Sequence, residues 1–345
     1  MQPAFWQYLA AAELPATKAQ ALLAELGLSS LPPIGFMLAW KSLSDRERGL
    51  MKNCDMAAFE SALARGVEVW ENPEYREVDP TRFSPVLFRW GQAAAFDAPI
   101  VAIVGTRRST TYGTAAAAKF AGALAGAGIT VASGGALGID YAAHRGAVDA
   151  GGRSLAVLPC GVDRAYPERH RDLYTEIRQR GCLVSQYACG FRTNSDYSFL
   201  QRNATLAALA DLVLVIEAPE RSGAISTASA AIDQNKPVLV VPGNITMPSF
   251  EGSHQLIRDG ATLVTHPAHV LEALSWSGAL PESTRSEPTN DLQVKILDVL
   301  GAESLSAEKI SELTGIESAE VLAELTDLEL DGIVLRDGIG YALNP

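Results

Sequence analysis

Long hydrophobic runs are missing from this 345-residue chain; none approaches the ~20 residues of a membrane-spanning helix, so no membrane span is expected. The N-terminus has no basic stretch followed by an apolar core, so a secretory leader is not expected either. Cysteine is scarce, and Cys54, Cys160, Cys182 and Cys189 form no C-x-x-C pair. That spacing argues against a zinc ribbon or a disulfide frame and predicts reduced, mostly buried thiols in a cytoplasmic protein with no metal site. There is no Gly-Lys-Ser/Thr of a P-loop. Gly105, which ends an apolar run, is not followed by the G-x-x-G of a dinucleotide fingerprint. Basic charge is also in short supply: the formal net charge is −12.

What is present is a soluble-protein composition, 48% hydrophobic and 20% charged, in a length that suits two or three domains. The acidity is uneven. Residues 1–98 carry 9 Lys and Arg against 12 Asp and Glu, residues 99–275 carry 15 against 14, and residues 276–345 carry 4 against 14. The middle of the chain alone lacks an acidic excess, and its cations are almost all arginine, so their clustering matters more than the net charge.

The chain is organised around Pro99 to Asp140. The run Ile100-Val101-Ala102-Ile103-Val104 stops at Gly105-Thr106-Arg107-Arg108-Ser109, an Ala-rich helical segment covers Thr114 to Ala127, and Ile129-Thr130-Val131-Ala132 breaks into Ser133-Gly134-Gly135-Ala136-Leu137-Gly138-Ile139-Asp140. Short Val/Ile runs without polar alternation are strands buried on both faces, as in a parallel sheet. Both loops lie at strand carboxyl ends, where open α/β sheets bind ligands. Glycine lets backbone approach a phosphate, the first N–H groups of the next helix are unpaired, and Arg107 and Arg108 add charge with bidentate geometry. One such loop reads as a tight turn; two in succession, one with paired arginines, point to a phosphate site.

The βα alternation continues with strands expected at Leu155–Leu158, Leu183–Gln186, Leu212–Glu217, Val238–Val241 and Thr262–Thr265, and helices expected at Gly138–Ala150, Arg169–Arg180, Tyr197–Ala210, Ile225–Gln234 and His254–Arg258. About seven strands make a Rossmann-like, doubly wound parallel sheet, with Val67–Trp70 and Val86–Trp90 as short strands leading into it. Residues 1–65 read as a small helical domain, either a helix-hairpin-helix or SAM-like module or a packing element. Phe5, Trp6, Leu9 and Ala10 lie on one helix face there, and Ala19, Leu22, Leu23 and Leu26 on another. The middle domain is assigned to 66–275 with its core at 99–265, and 276–288 is a polar, proline-bearing linker. In 289–345, helices at Leu292–Leu300, after an N-cap at Ser306, and at Glu317–Asp331 precede a hairpin with Asp337-Gly338 at its turn; three helices and a hairpin make a winged helix.

Together these pieces resemble the DprA/Smf family of bacterial DNA-processing proteins. In order, they are Val104-Gly105-Thr106-Arg107; Ser133 to Asp140 with Ala143-His144; Gly161-Val162-Asp163 with Tyr166-Pro167; Phe199 with Arg202-Asn203; Glu217-Ala218 with Ser222-Gly223; Pro242-Gly243; and Gly252-Ser253 with Leu256-Ile257 and Gly260-Ala261. They span residues 99–265. The resemblance implies a non-catalytic, cofactor-free protein that binds incoming single-stranded DNA, protects it and helps load the RecA recombinase in natural transformation, as a homodimer formed through the Rossmann domain. Carried over by motif, the DNA pocket is Gly105, Thr106, Arg107 and the adjoining Arg108, then Ser133, Gly134 and Gly135, then Phe199, Arg202 and Asn203, and Ser222 with Gly223. Phe199 either stacks a base or packs into the core, the commoner place for a single Phe on a helix. Asp140 and His144 lie four residues apart, but no nucleophile or metal partner has suitable spacing, so both read as structural; His254, His266 and His269 read as surface residues.

The chain departs from the family pattern where Asp196 stands in place of a Lys or Arg, where Ala204 follows Asn203 in place of an Arg, and where Glu168-Arg169-His170 follows Tyr166-Pro167 without the usual Asn; either affinity is lowered or Arg108 and Arg192 compensate. The apolar residues Ile245, Met247, Phe250, Leu256 and Ile257 are expected at a self-association surface. The alternative is a nucleotide-binding enzyme resembling the lysine-decarboxylase-like phosphoribohydrolases. The corresponding stretch, Pro219 to Thr227, lacks that family's second glycine and its glutamate.

Overall fold

The computed structural model describes residues 3–12, 43–70, 86–193, 196–280, 290–300, 304–330, 333–337 and 340–343. The chain divides into two compact units, Met1–Leu280 and Pro281–Pro345. The helix face expected from Ala19, Leu22, Leu23 and Leu26 lies outside the described residues, as do the side chains of Phe5 and Trp6 and residues 281–288 of the linker.

Among the described residues the first unit opens with three short helices, α1 (Pro3–Ala11), α2 (Asp45–Lys52) and α3 (Met56–Ala64), and two strands, β1 (Val67–Trp70) and β2 (Leu87–Gly91). Ser44 and Glu47 form a reciprocal capping box that starts α2, and the Asp55 carboxylate caps α3. Then β and α alternate: β3 (Ile100–Val104), α4 (Thr111–Gly126), β4 (Thr130–Ser133), α5 (Ile139–Asp149), β5 (Ser154–Val157), α6 (Arg171–Arg180), β6 (Cys182–Ser185), α7 (Asp196–Leu209), β7 (Leu212–Val215), α8 (Gly223–Ile232), β8 (Val238–Val240), α9 (Glu251–Arg258), β9 (Thr262–Leu263) and α10 (Pro267–Ala273). Among the described residues the sheet has nine strands in the order β1-β2-β6-β5-β4-β3-β7-β8-β9. The last seven in that order are parallel, and β2 and β1 extend the edge beside β6 as an antiparallel pair. The Rossmann-like sheet read from the sequence is present, and the two leading strands belong to it.

Alternate residues of β3 explain why its run is uniformly apolar. Val101 and Ile103 pack with α4, α5 and α10, whereas Ala102 and Val104 pack with α7, α8 and α9 on the other side. The N-terminal helices cover the first side further along the sheet: Leu9, Met51 and Phe59 share one core with Phe88, Leu158, Leu183 and Ile177. Chain order reverses at β3, which runs on to β4, β5 and β6 in one direction and meets β7, β8 and β9 in the other. The carboxyl ends of β3, β4 and β7 therefore border a crevice at the switch point.

Two expectations are corrected here. Phe250 is 1% exposed and Leu256 8%, because the 3-10 turn Pro248–Phe250 and α9 fold them inward; only Ile245 and Met247 of that set stand out, at 87% and 42%. His254 is half-buried, with Nε2 against the Gly243 carbonyl at 3.1 Å, while His266 and His269 are on the surface.

The second unit comprises α11 (Asp291–Val299), α12 (Ala307–Thr314), α13 (Ser318–Leu330) and the hairpin β10 (Val334–Asp337) with β11 (Gly340–Leu343). The expected N-cap is present, with the Ser306 hydroxyl accepting from the Lys309 N–H. Ile296, Ile310, Val321, Leu325, Leu328 and Val334 form its own core. The sequence of this third helix reads as core at Leu322, Leu325 and Leu328-Leu330, but Leu322 is 46% exposed and lies outside that core, because Val321, Leu325 and Leu328 already supply the i, i+4, i+7 face.

Candidate nucleic-acid interface at the sheet switch point

The loop after β3 is held at both ends by one residue. The Glu217 carbonyl accepts from the Thr106 N–H at 2.7 Å, and its fully buried carboxylate accepts from the Thr110 N–H and hydroxyl, both at 2.9 Å. Thr110 in turn caps α4 through the Gly113 N–H. Between these anchors Arg107 and Arg108 project to the surface. The loop after β4 is pinned to the first one: Gly138 has φ 72°, a conformation that favours glycine, and a Cβ there would meet the Thr106 carbonyl at 2.4 Å. The Ile139 N–H donates to that carbonyl at 3.2 Å, and the Asp140 carboxylate accepts from the Ala136 N–H at 3.2 Å, as expected for a local helix-start contact.

These loops, the start of α7 and the start of α8 border a cleft of about 430 Å³. Of the residues singled out from the sequence, Gly105, Thr106, Arg107, Arg108, Gly134, Phe199, Arg202, Asn203, Ser222 and Gly223 all line it. Gly135 lines an adjoining recess of about 80 Å³ together with Arg107, Gly134, Phe199 and Arg202. Ser133 is placed differently: it is fully buried, and its hydroxyl donates to the Ile103 carbonyl at 2.7 Å, tying β4 to β3. Arg221, Asp140, Asp196, Leu200 and Thr227 also line the cleft. Arg221 was not singled out, although it sits in the Pro219–Thr227 stretch. Asp196 is exposed on the wall, as its departure from the family pattern implies. Arg192 is exposed but does not line the cleft.

Side-chain directions separate the polar residues into two groups. Arg107 reaches over the half-buried Phe199 ring, with its guanidinium carbon 4.9 Å from the centroid, within cation–π distance. Arg202, 5% exposed, points into the floor. It donates through Nη1 to the carbonyls of Gly134 and Val157, the latter at 3.1 Å, and through Nε to Asn203 Oδ1 at 3.0 Å. A Cβ on Gly134 would meet Arg202 Nη1 at 2.0 Å, so this guanidinium requires glycine there. Burial pushes the Asp140 carboxyl above its ordinary value, opposed first by the Arg202 charge. Asn203 Nδ2 reaches the Gly223 carbonyl at 3.2 Å, and the buried Ser222 hydroxyl has no partner where it meets the start of α8. Among the described residues no group of His, Cys, Asp and Glu has the arrangement to hold a metal.

His144 lies beneath this floor, fully buried. The Ser154 hydroxyl donates to the Val131 carbonyl at 3.1 Å, so His144 Nδ1, 2.8 Å from the same oxygen, carries the proton and donates to it. Nε2 is then bare and unpartnered, and burial drives the imidazole pKa down to about 3, with His170 and Arg202 adding to the shift. The unfolded chain takes up this proton near pH 6.5 and the native chain does not, so stability is lost as pH falls below 6.5. Unfolding in urea at pH 7 and pH 5.5 is expected to show the native chain losing about 1 kcal/mol more than a His144→Gln variant. Equal losses would mean that His144 is protonated in the fold.

A Rossmann-like domain with an arginine- and glycine-lined crevice at its switch point, in a chain that also carries a winged helix, defines a narrow class of α/β proteins. Residues 71–275 match the family DNA recombination-mediator protein A, and residues 280–338 match the DprA winged helix domain. The chain belongs to this DprA/Smf family. Protein Smf of Escherichia coli (strain K12) is 35% identical over 270 residues, which are 76% of this chain and 72% of that protein. The X-ray structure of DNA processing protein A (DprA) from Streptococcus pneumoniae shares the fold, with TM-score 0.66 and 24% identity over 80% of this chain and 98% of that one. A structure of DNA processing protein A from Helicobacter pylori, solved to describe its single-stranded DNA binding mode, is 31% identical with TM-score 0.55, covering 61% of this chain and 96% of that one.

Proposed function

We propose that this chain binds single-stranded DNA in the switch-point cleft, protects it, and helps load the RecA recombinase in natural transformation and recombination, acting in the cytoplasm as a homodimer and catalysing no reaction. The observation that carries this reading is the convergence of three strand-end loops on one cleft with Arg107, Arg108 and Arg221 along its walls and Arg202 under its floor, against Asp140 and Asp196. Arg107 and the loop amides hold phosphates, Phe199 stacks a base, and Arg202 shapes the loops. Family membership supports the same reading.

Fluorescence anisotropy with a labelled oligo-dT, repeated at rising salt, tests it. Each phosphate engaged adds about 0.7 to the slope of log affinity against log salt. Absence of binding at low salt, or release of ribose 5-phosphate from nucleoside monophosphates, would overturn it in favour of the enzyme alternative. Self-association is proposed through the surface bearing Ile245 and Met247; light scattering that finds only monomer at micromolar concentration, with and without DNA, removes that part.

The winged helix is proposed to contact protein, a neighbouring subunit or the recombinase. In duplex-reading winged helices the third helix enters the major groove. Here α13 presents Glu320, Asp327 and Glu329 to solvent, and Glu317 precedes it. Duplex DNA carries a charge every ~1.7 Å of axis, which repels such a face. A fragment spanning 289–345 is expected to show no micromolar duplex binding at low salt, while deleting it weakens the recombinase interaction; tight duplex binding would refute this.

A further inference from the structure

An arc of aromatic rings leaves the cleft on the side away from β7. It begins with Arg107 stacked on Phe199, whose ring lies 5.5 Å from Tyr166. The Tyr174 hydroxyl bridges the Tyr166 carbonyl at 2.6 Å and the Gly135 carbonyl at 3.1 Å, and His170 Nδ1 donates to that same Gly135 carbonyl at 3.1 Å. The His170 ring stands 6.1 Å from Tyr174 and 4.8 Å from Tyr141. Inner members of the arc are buried, Tyr174 at 3% and His170 at 4%, whereas Tyr166 and Tyr141 are 39% and 40% exposed. Each exposed tyrosine therefore has another ring beside it and part of its surface open to solvent; Tyr166 is tied through Tyr174, and Tyr141 contacts His170, which is tied, to the Gly135 carbonyl of the loop beside the cleft.

Resting on the proposed strand binding, we infer that Tyr166 and Tyr141 are a base-stacking platform for unpaired nucleobases of the same strand beyond the nucleotides held in the cleft. A phosphate held at Arg107 leaves its base projecting, and the nearest flat surfaces are Phe199 and then Tyr166. Unpaired bases stack on such rings with little regard to sequence, because every base has a π-face. A ring already in contact with a neighbour loses little freedom when a base lands on it. Paired bases in a duplex do not present their faces to a side-lying ring, so the platform accepts single strands only.

The test compares the intact chain with Tyr166→Leu, Tyr141→Leu and the two Phe variants, each titrated with oligo-dT and with a strand of equal length made abasic over its central nucleotides. Each Leu variant is expected to lose about tenfold in affinity for oligo-dT. On the abasic strand it matches the unaltered protein, the Phe variants behave as the unaltered protein on both strands, and the salt slope stays constant because no phosphate contact is removed. Equal loss on both strands, Phe variants as weak as Leu variants, or no loss at all would each overturn the platform. If Arg107→Ala weakens oligo-dT binding while every tyrosine variant is silent, the cleft reading stands and the platform alone fails; if the unaltered protein does not bind oligo-dT, both fail together.

Discussion

Arg202→Ala is expected to destabilise the first unit by roughly 3–5 kcal/mol, the range for removing one member of a buried charge pair. Three acceptors lose the Arg202 donor at once: the carbonyls of Gly134 and Val157 and Oδ1 of Asn203, whose amide nitrogen keeps the Gly223 carbonyl. Asp140, 5% exposed, loses the largest charge that opposes its burial. Urea unfolding measures the loss, and the double variant Arg202→Met/Asp140→Asn separates the causes. If the uncompensated carboxylate dominates, the double variant recovers most of the stability. A single variant as stable as the unaltered chain would show that this guanidinium does not organise the floor.

Arg107→Ala acts on binding instead. Its guanidinium rests on an exposed rim, so removal leaves the fold intact and takes away one charge-assisted contact, for a loss of about 1–3 kcal/mol in affinity for oligo-dT. The slope of log affinity against log salt falls with it, by the amount of the phosphate contact removed. Unchanged affinity with an unchanged slope would remove Arg107 from the proposed interface. The two arginines thus separate by readout, one in the unfolding transition and the other in the salt dependence.

Legibility in the sequence followed burial. Strands covered on both faces leave uninterrupted Val, Ile and Ala, so β3 to β8 and the helices between them were readable, with boundaries off by a few residues, as where α9 begins at Glu251 and not at His254. The cleft was readable because its glycines and arginines fall where those strands stop. Direction was not readable. Ser133 and Arg202 occupy motif positions, but nothing in a spacing tells whether a side chain turns toward a cleft or back onto a neighbouring carbonyl. Phe250 and Leu256 looked like surface because a 3-10 turn running into a two-turn helix is too short to show a period. Arg221 lines the cleft beside Ser222 and Gly223 but belongs to none of the motif pieces, so spacing alone carries no signal for it.

Glu217 grips the β3 loop at both ends, and this bears on the strand binding proposed for the cleft. A loop closed by one residue at its first and last peptides has little left to order when a ligand arrives, so the entropy of complex formation falls on the nucleic acid, which is flexible, and hardly on the protein. Fixed backbone donors also measure the spacing between phosphates and not the identity of bases. For the proposed function the consequence is indifference: a rigid frame of this kind treats every incoming sequence alike, which suits a protein that cannot choose the DNA it meets.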